Sequence, residues 1–324
     1  MNARHATRGA AILMLMLAAC SSKEAKPTLQ LPTQNKSDAG TGDNGASTPS
    51  EGTWVQSTSP TDDTLYDIWG ASATDVWTVG FHGMIAHWDG SVWSKEPTGT
   101  TAAIMGIWGS SASDVWAIAE GGKIWHRDAK EWKQVSGVAG SDLYGIWGSG
   151  SSDVWAVGDS GTMLRWNGVK WTEQQFVTEE TLSTVWGSGS SDVWAGGNEG
   201  VLLHWDGSKW NTTSSGTTEN FQSIWGSSSK DVWAAGSLGA LVHWDGSAWK
   251  KVDSGTGETL IDIWGASSND VWMAGMGATL LHWNGSVWSE VDTGATSDLF
   301  GVWGTSGANA WAIGDKGEIL HFTR

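Results

Sequence analysis

An uninterrupted 39-residue period, four short β-like segments in each period, and a segment missing from the last period but present before the first predict an all-β fold. That fold is a closed seven-bladed β-propeller of four-stranded blades. Tryptophan carries the period. Trp-Gly pairs stand at Trp69, Trp108, Trp147, Trp186, Trp225, Trp264 and Trp303, and each step is 39 residues. A second series with the same step runs Trp77, Trp116, Trp155, Trp194, Trp233, Trp272 and Trp311. A third runs from Trp93 to Trp288, and a sparser fourth comprises Trp88, Trp166, Trp205, Trp244 and Trp283. With Trp54 and Trp125 these series contain all 27 tryptophans, so phase within the repeat accounts for nearly every one.

Within one unit the order is LYGIWG, the turn-rich GSGSSD, VWAVG, the DSG turn, TMLRW, an NG link and VKWTE. Gly, Asp, Asn and Ser punctuate four apolar segments of about 3 to 5 residues, too short for helices. The DG or NG link reads as a two-residue hairpin with both central residues at positive φ. The last unit ends GDKGEILHFTR and has no VKW-type segment, yet Trp54 lies 39 residues before Trp93. A strand at Trp54 is therefore in phase to complete the last blade and close the ring. An open solenoid would instead need capping repeats.

The stretch GDSGTMLRWNGVKW (158–171) and lead-in segments such as SGTTENFQSIWG (215–226) resemble the repeats of seven-bladed propellers of two related types. These are the bacterial-neuraminidase-repeat (Asp-box) type and the photosystem-assembly-factor type. The resemblance covers residues 54–324 and departs at the hairpin. Those repeats carry a longer Asp-x-Gly-x-x-Trp turn, where this chain has the shorter DGSxW form. Tectonin-type sugar-binding propellers are a looser relative. The resemblance implies the fold; enzymes, lectins and scaffolds all use it.

Ahead of the repeats, residues 1–20 combine two arginines, an apolar run and Leu17-Ala18-Ala19-Cys20, and so resemble a bacterial lipoprotein signal. The chain's single cysteine, Cys20, sits at the lipidation position, so the expected mature protein is acylated there and has no disulfide. Ser21 resembles an outer-membrane sorting signal. The expected location is thus the cell envelope, in the outer membrane. Residues 21–52 are rich in Ser, Thr, Gly, Asp and Pro and read as a flexible tether to a domain spanning 53–324. Removing the two signal arginines from 18 basic residues against 35 acidic ones leaves the mature chain near −19. Such a charge makes nucleic acid and anionic membrane surfaces poor partners.

Residues present in every unit are first candidates for packing. The tryptophans at the phases of Trp69 and Trp77 are expected between blades, and those at the phase of Trp93 on a partly exposed outer strand. Asp75 and its equivalents, with Asn309 in the last unit, read as acceptors for their own turn's backbone. His87, His126, His204, His243, His282 and His321, with Arg165 in the third unit, read as inter-strand hydrogen-bonding groups. A shared metal site is disfavoured because each belongs to a different blade.

Specific function is expected where the copies differ. Two variable regions fall on one face of a propeller: the connections between blades, and the turn that begins Phe81-His82, Glu120-Gly121 or Asp159-Ser160. At the start of the first strand, Phe300, Tyr66, Met105 and Tyr144 occupy one row on four consecutive blades, and Asp67 and Asp262 belong to the next row. If the first row faces the channel mouth, an aromatic crescent suits a sugar ring or a peptide. If the second does, Asp67 and Asp262 could hold a cation. The candidate ligand-binding residues are Tyr66, Asp67, Phe81, His82, Glu120, Tyr144, Asp159 and Phe300. No catalytic motif, cofactor or metal cluster is expected: three arginines remain after the signal, and two tyrosines cannot furnish a sialidase-like centre. The sequence therefore predicts a non-catalytic, monomeric binding module for a protein partner or, alternatively, a glycan; a glycan-acting enzyme is the remote third reading.

Overall fold

The computed structural model describes residues 52–128, 130–135 and 140–324. The signal, Cys20 and nearly all of the tether lie outside the described residues. Seven antiparallel sheets of four strands each make up the domain. In the first blade the strands are Leu65–Ser72, Asp75–Gly80, Ile85–Trp88 and Trp93–Lys95, innermost first. The innermost strand is longer than the sequence suggested, because the Trp-Gly pair and the following two residues stay in the ladder. Blades 1 to 7 have the inner strands Leu65–Ser72, Ile104–Ser111, Leu143–Gly150, Leu182–Gly189, Phe221–Ser228, Leu260–Ser267 and Leu299–Ser306. Each inner strand neighbours the next around the ring, and the seventh neighbours the first. Thr53–Gln56 pairs antiparallel with Ile319–Thr323, Trp54 opposite Phe322, so the N-terminal strand completes blade 7.

The Trp-Gly pair has a single geometric cause. The benzo rim of the Trp of one blade presses on the Gly of the next: a Cβ on Gly148 would sit 2.6 Å from the Trp108 ring and 2.8 Å from the Asp153 carbonyl oxygen. The equivalent contact recurs at all seven joints, from Trp69 on Gly109 to Trp303 on Gly70. Gly148→Ala is expected to cost about 1–3 kcal/mol by overpacking. Urea denaturation checks this, and an unchanged midpoint would reject the contact.

The second tryptophan series forms the other half of each joint. Trp155 of blade 3 is fully buried and meets Trp210, on the outer strand of blade 4, edge to face at 5.2 Å and 89°. The same T-shaped pair occurs at every joint: Trp77 with Trp132, Trp116 with Trp171, Trp194 with Trp249, Trp233 with Trp288, Trp272 with Trp54, and Trp311 with Trp93. Such pairs contribute about 0.5–1.5 kcal/mol each beyond burial. Trp93, Trp210, Trp249 and Trp288 are buried despite their outermost position, whereas Trp132 and Trp171 keep the partial exposure expected of this series. The fourth series packs on the same rings. Trp88 meets Trp311, Trp166 meets Trp116, Trp205 meets Trp155, and Phe322 takes this place against Trp272. In blade 2 the Arg127 guanidinium does so, 4.7 Å over Trp77.

The repeated histidines complete the unit. His204 stacks on its own blade's Trp194 at 4.2 Å, and its Nε2 meets Asp192 Oδ1 at 2.6 Å. Arg165 does both jobs in blade 3, donating to Asp153 at 2.7 Å and lying 4.7 Å over Trp155. In blade 7 the partner is Asn309, whose Nδ2 lies 3.0 Å from His321 Nε2, and burial holds that histidine below its usual range. The acceptor at the phase of Asp75 thus serves the adjacent strand and, in four blades, a serine four residues earlier, as Ser149 does to Asp153. The expected role of fixing its own backbone belongs to the hairpin acid instead. Asp89 accepts from the N–H groups of Ser91 and Val92, as Asp206 does from Ser208 and Lys209. The Asp89 N–H also donates to the Val92 carbonyl at 3.4 Å, which leaves Gly90 and Ser91 at the tip, with only Gly90 at positive φ where both central residues were expected there.

Candidate functional site

The lead-in segments and the tight turns after the second strands share one face. In five of the seven turns the third residue is a glycine that meets the next blade's lead-in: a Cβ on Gly161 would sit 1.8 Å from the Thr178 carbonyl oxygen, and Gly161 has φ +70°. The third position is glycine in six turns and Ala278, at φ 60°, in blade 6, so most of the variation falls on the first two positions. The second is left-handed even when it is not glycine, at His82, Ser160, Glu199, Leu238 and Lys316, with φ between 53° and 55°.

Much of the variation on this face latches blades together. Asp159 Oδ1 accepts from Thr181 Oγ1 at 2.7 Å, and Asp315 Oδ1 accepts from Thr64 Oγ1 at 2.7 Å. At three other joints the direction reverses: Asp142, Asn220 and Asp298 accept from the turn N–H groups of Gly121, Glu199 and Gly277. Asp159, a ligand candidate from the sequence, is thus engaged in a joint between blades 3 and 4. Sequence reasoning missed its partners. Their signal was a Thr, Asp or Asn directly before the inner strand in six units of seven. At the joints from blade 1 to 2 and from 5 to 6 the turn carbonyls of Gly83 and Gly239 instead accept from the lead-in hydroxyls of Thr98 and Ser254.

The two rows of the inner strand point differently. A bulge between Leu65 and Asp67 turns Tyr66 to the mouth, where its ring lies 6.2 Å from Phe300 of the neighbouring blade. Asp67 turns into the joint. Its Oδ1 accepts from its neighbour Ile68 N–H at 2.8 Å, and its Oδ2 from Ile107 N–H of blade 2 at 2.8 Å. Asp262 accepts from Ile263 and Val302 N–H and from Ser223 Oγ. Thr184 and Ser223 make the same inter-blade bond through hydroxyls. The cation reading of Asp67 and Asp262 gives way to struts, because backbone N–H groups already occupy these oxygens. Among the described residues no group of three or more His, Cys, Asp or Glu converges as a metal cradle.

Burial, and then the charge of Asp262, push the Asp67 carboxyl up to about 7. A carboxyl raised in the folded state stabilises fully below its unfolded value near 4 and loses that contribution as pH rises towards 7. Stability should therefore fall between pH 5 and 7, with a slope of up to about 1.4 kcal/mol per pH unit for one proton. Asp67→Thr keeps an inter-blade acceptor, as Thr184 shows, and should flatten that slope. Denaturant midpoints at pH 5, 6 and 7 check this; parallel curves for the two proteins would refute it.

Phe81 and His82 stand on the blade 1 turn, rings 3.9 Å apart, with His82 Nδ1 2.9 Å from Asp63 Oδ1. His82 and Asp63 line an open groove of about 380 Å³ with Lys95 and Thr98. A second groove of about 650 Å³ runs from Glu199 along Thr212–Glu219. Both are open and mixed in polarity, shaped for an extended chain more than an enclosed small molecule. At the mouth itself, Glu120 anchors one oxygen on Ala103 N–H at 3.1 Å. Burial, then the charges of Glu120, Asp315 and Asp63, push the Tyr66 phenol up to about 12. Burial and the charges of Asp142, Asp159 and Glu120 likewise raise Tyr144. Both phenols are neutral donors at any physiological pH. The structure therefore sets Phe300 against Tyr66 and the charge of Glu120 within reach of both Tyr66 and Tyr144, keeps Phe81 and His82 together on the blade 1 turn, and engages Asp67 and Asp159 in joints.

Solved structures share this architecture. YCF48 bound to D1 peptide is similar at 18% identity with a TM-score of 0.70, over 84% of this chain and 97% of that one. The fold is shared. YCF48 from Cyanidioschyzon merolae aligns at 17% identity and TM-score 0.69, over 84% of this chain and 99% of that one. A catalytically inactive virginiamycin B lyase from Staphylococcus aureus with quinupristin aligns at 17% and 0.74, over 85% of this chain and all of the other. No protein-family model matches the chain, and no curated protein is similar to it in sequence. The neighbours thus comprise a peptide-bound propeller and a lyase, and the likeness to either is one of architecture.

Proposed function

We propose that the protein is a non-catalytic docking scaffold, held at the outer membrane by lipid on Cys20, whose varied face engages an extended segment of another protein. One observation carries this reading. The repeated Trp, His and Asp residues are spent on neighbouring strands and blades, whereas the row Tyr66, Met105 and Tyr144 stays half-buried on the face that carries the varied turns. A propeller of similar fold bound to a peptide supports the same use of the architecture.

Two measurements test the proposal. A photo-crosslinking residue at Tyr66 should yield a discrete protein adduct in membranes, and one at Ser152 on the opposite face should not. Equal adducts from both, or none from Tyr66, would overturn docking at this face. Binding on a glycan array that is lost with Tyr66→Ala would replace the protein partner with a carbohydrate. Separately, Cys20→Ser should abolish alkyne-palmitate labelling and release the protein from the membrane fraction.

A further inference from the structure

We propose that the docked segment is basic, and that one of its lysine or arginine side chains lodges over Met105, between Tyr66 and Tyr144, against Glu120. This rests on the docking reading above and adds the chemistry of the partner. Tyr66, Met105 and Tyr144 occupy the same position on the inner strands of blades 1, 2 and 3, and all three are half-buried. Phe300 is buried and lies against Tyr66, ring centroids 6.2 Å apart, whereas Tyr66 itself stays half-buried. Glu120 belongs to the blade between the two tyrosines, and its charge reaches both hydroxyls. The Ala103 N–H holds one of its oxygens in place.

The charges around this row are of one sign. Asp63 and Asp315 act on Tyr66, and Asp142 and Asp159 act on Tyr144. His82 answers Asp63. Among the described residues, Glu120, Asp142, Asp159 and Asp315 form no ion pair, although Lys123 and Lys316 lie on the same face. Hydrogen bonds to Thr64, Thr181 and Gly121 each occupy one oxygen of Asp315, Asp159 and Asp142. Two electron-rich ring faces, a polarisable thioether and an unpaired carboxylate together favour a cation over a neutral or acidic group. An aliphatic stem can lie along Met105 while its charged head meets Glu120.

The test uses a phage-displayed library of random twelve-residue peptides, panned on the full-length protein, with enriched peptides then synthesised. Expected are sequences rich in Lys and Arg that compete with crosslinking at Tyr66. Their affinity should fall at least tenfold with Glu120→Gln, or with citrulline replacing arginine, and should fall as salt rises. Glu120→Lys should turn the selection towards acidic peptides, and unchanged thermal unfolding of both variants confirms folding. Peptides that compete at Tyr66 but carry a neutral or acidic consensus would overturn the basic partner and leave docking standing. No peptide at Tyr66, together with no adduct there in membranes, would overturn docking itself and this inference with it.

Discussion

Trp155→Ala is expected to destabilise the domain by about 3–5 kcal/mol, the range for deleting a fully buried indole. Three contacts disappear with the ring: the edge of Trp210 at 5.2 Å, Trp205 at 5.3 Å, and the Arg165 guanidinium 4.7 Å above it. The loss is larger than one indole's burial, because both Trp205 and Trp210 belong to the next blade and lose the surface they pack against. Trp155→Ala and Trp210→Ala together should cost less than the sum of the single changes, since they remove one shared contact. Val169→Ala, at a side chain 81% exposed, should shift stability by no more than about 0.5 kcal/mol. Urea denaturation followed by circular dichroism reads all four proteins. Equal midpoints for Trp155→Ala and Val169→Ala would contradict the packing role.

The second large effect concerns closure. Deleting Thr53–Gln56 removes a whole strand pairing with Ile319–Thr323 and strips Trp54 from Trp272 and Phe322, each 5.3 Å away. Blade 7 would then end in a free edge, exposed to pairing with another chain. Melting should fall by on the order of 10 °C, at about 2–4 °C per kcal/mol for a domain of this size. Limited proteolysis should cut first near Ile319–Thr323, and light scattering should show association. A deletion that melts with the full protein and resists protease would mean that the ring does not depend on this strand. Trp54→Ala should show a smaller loss in the same direction, because the backbone pairing survives.

The architecture was legible because its causes repeat. One Trp-Gly phase marked every inner strand, and Trp54 announced the closing strand by its spacing from Trp93. The site was less legible, for a geometric reason. Asp67 bonds Ile107 and Asp262 bonds Val302, each 40 residues away, so a scan within one repeat sees an unexplained carboxylate where the fold has a strut. Asp159 and Thr181 are likewise partners across a joint. Variation between copies therefore mixed two things: side chains that differ because each joint found its own latch, and side chains such as Tyr66 and Tyr144 that turn to the mouth. Only the bulge after Leu65, which alternation alone does not foresee, separates the two rows.

The joint between blades also bears on heredity. Each unit offers its neighbour the same two surfaces, a tryptophan ring on one side and a bare glycine on the other. Recombination between copies that respects the 39-residue step delivers a complete unit that fits on both flanks. A slip of one residue would instead turn every side chain of a strand to the opposite face. Selection at the joints thus purges single-residue insertions within the strands, while exchange of whole units leaves each joint with its ring and its glycine.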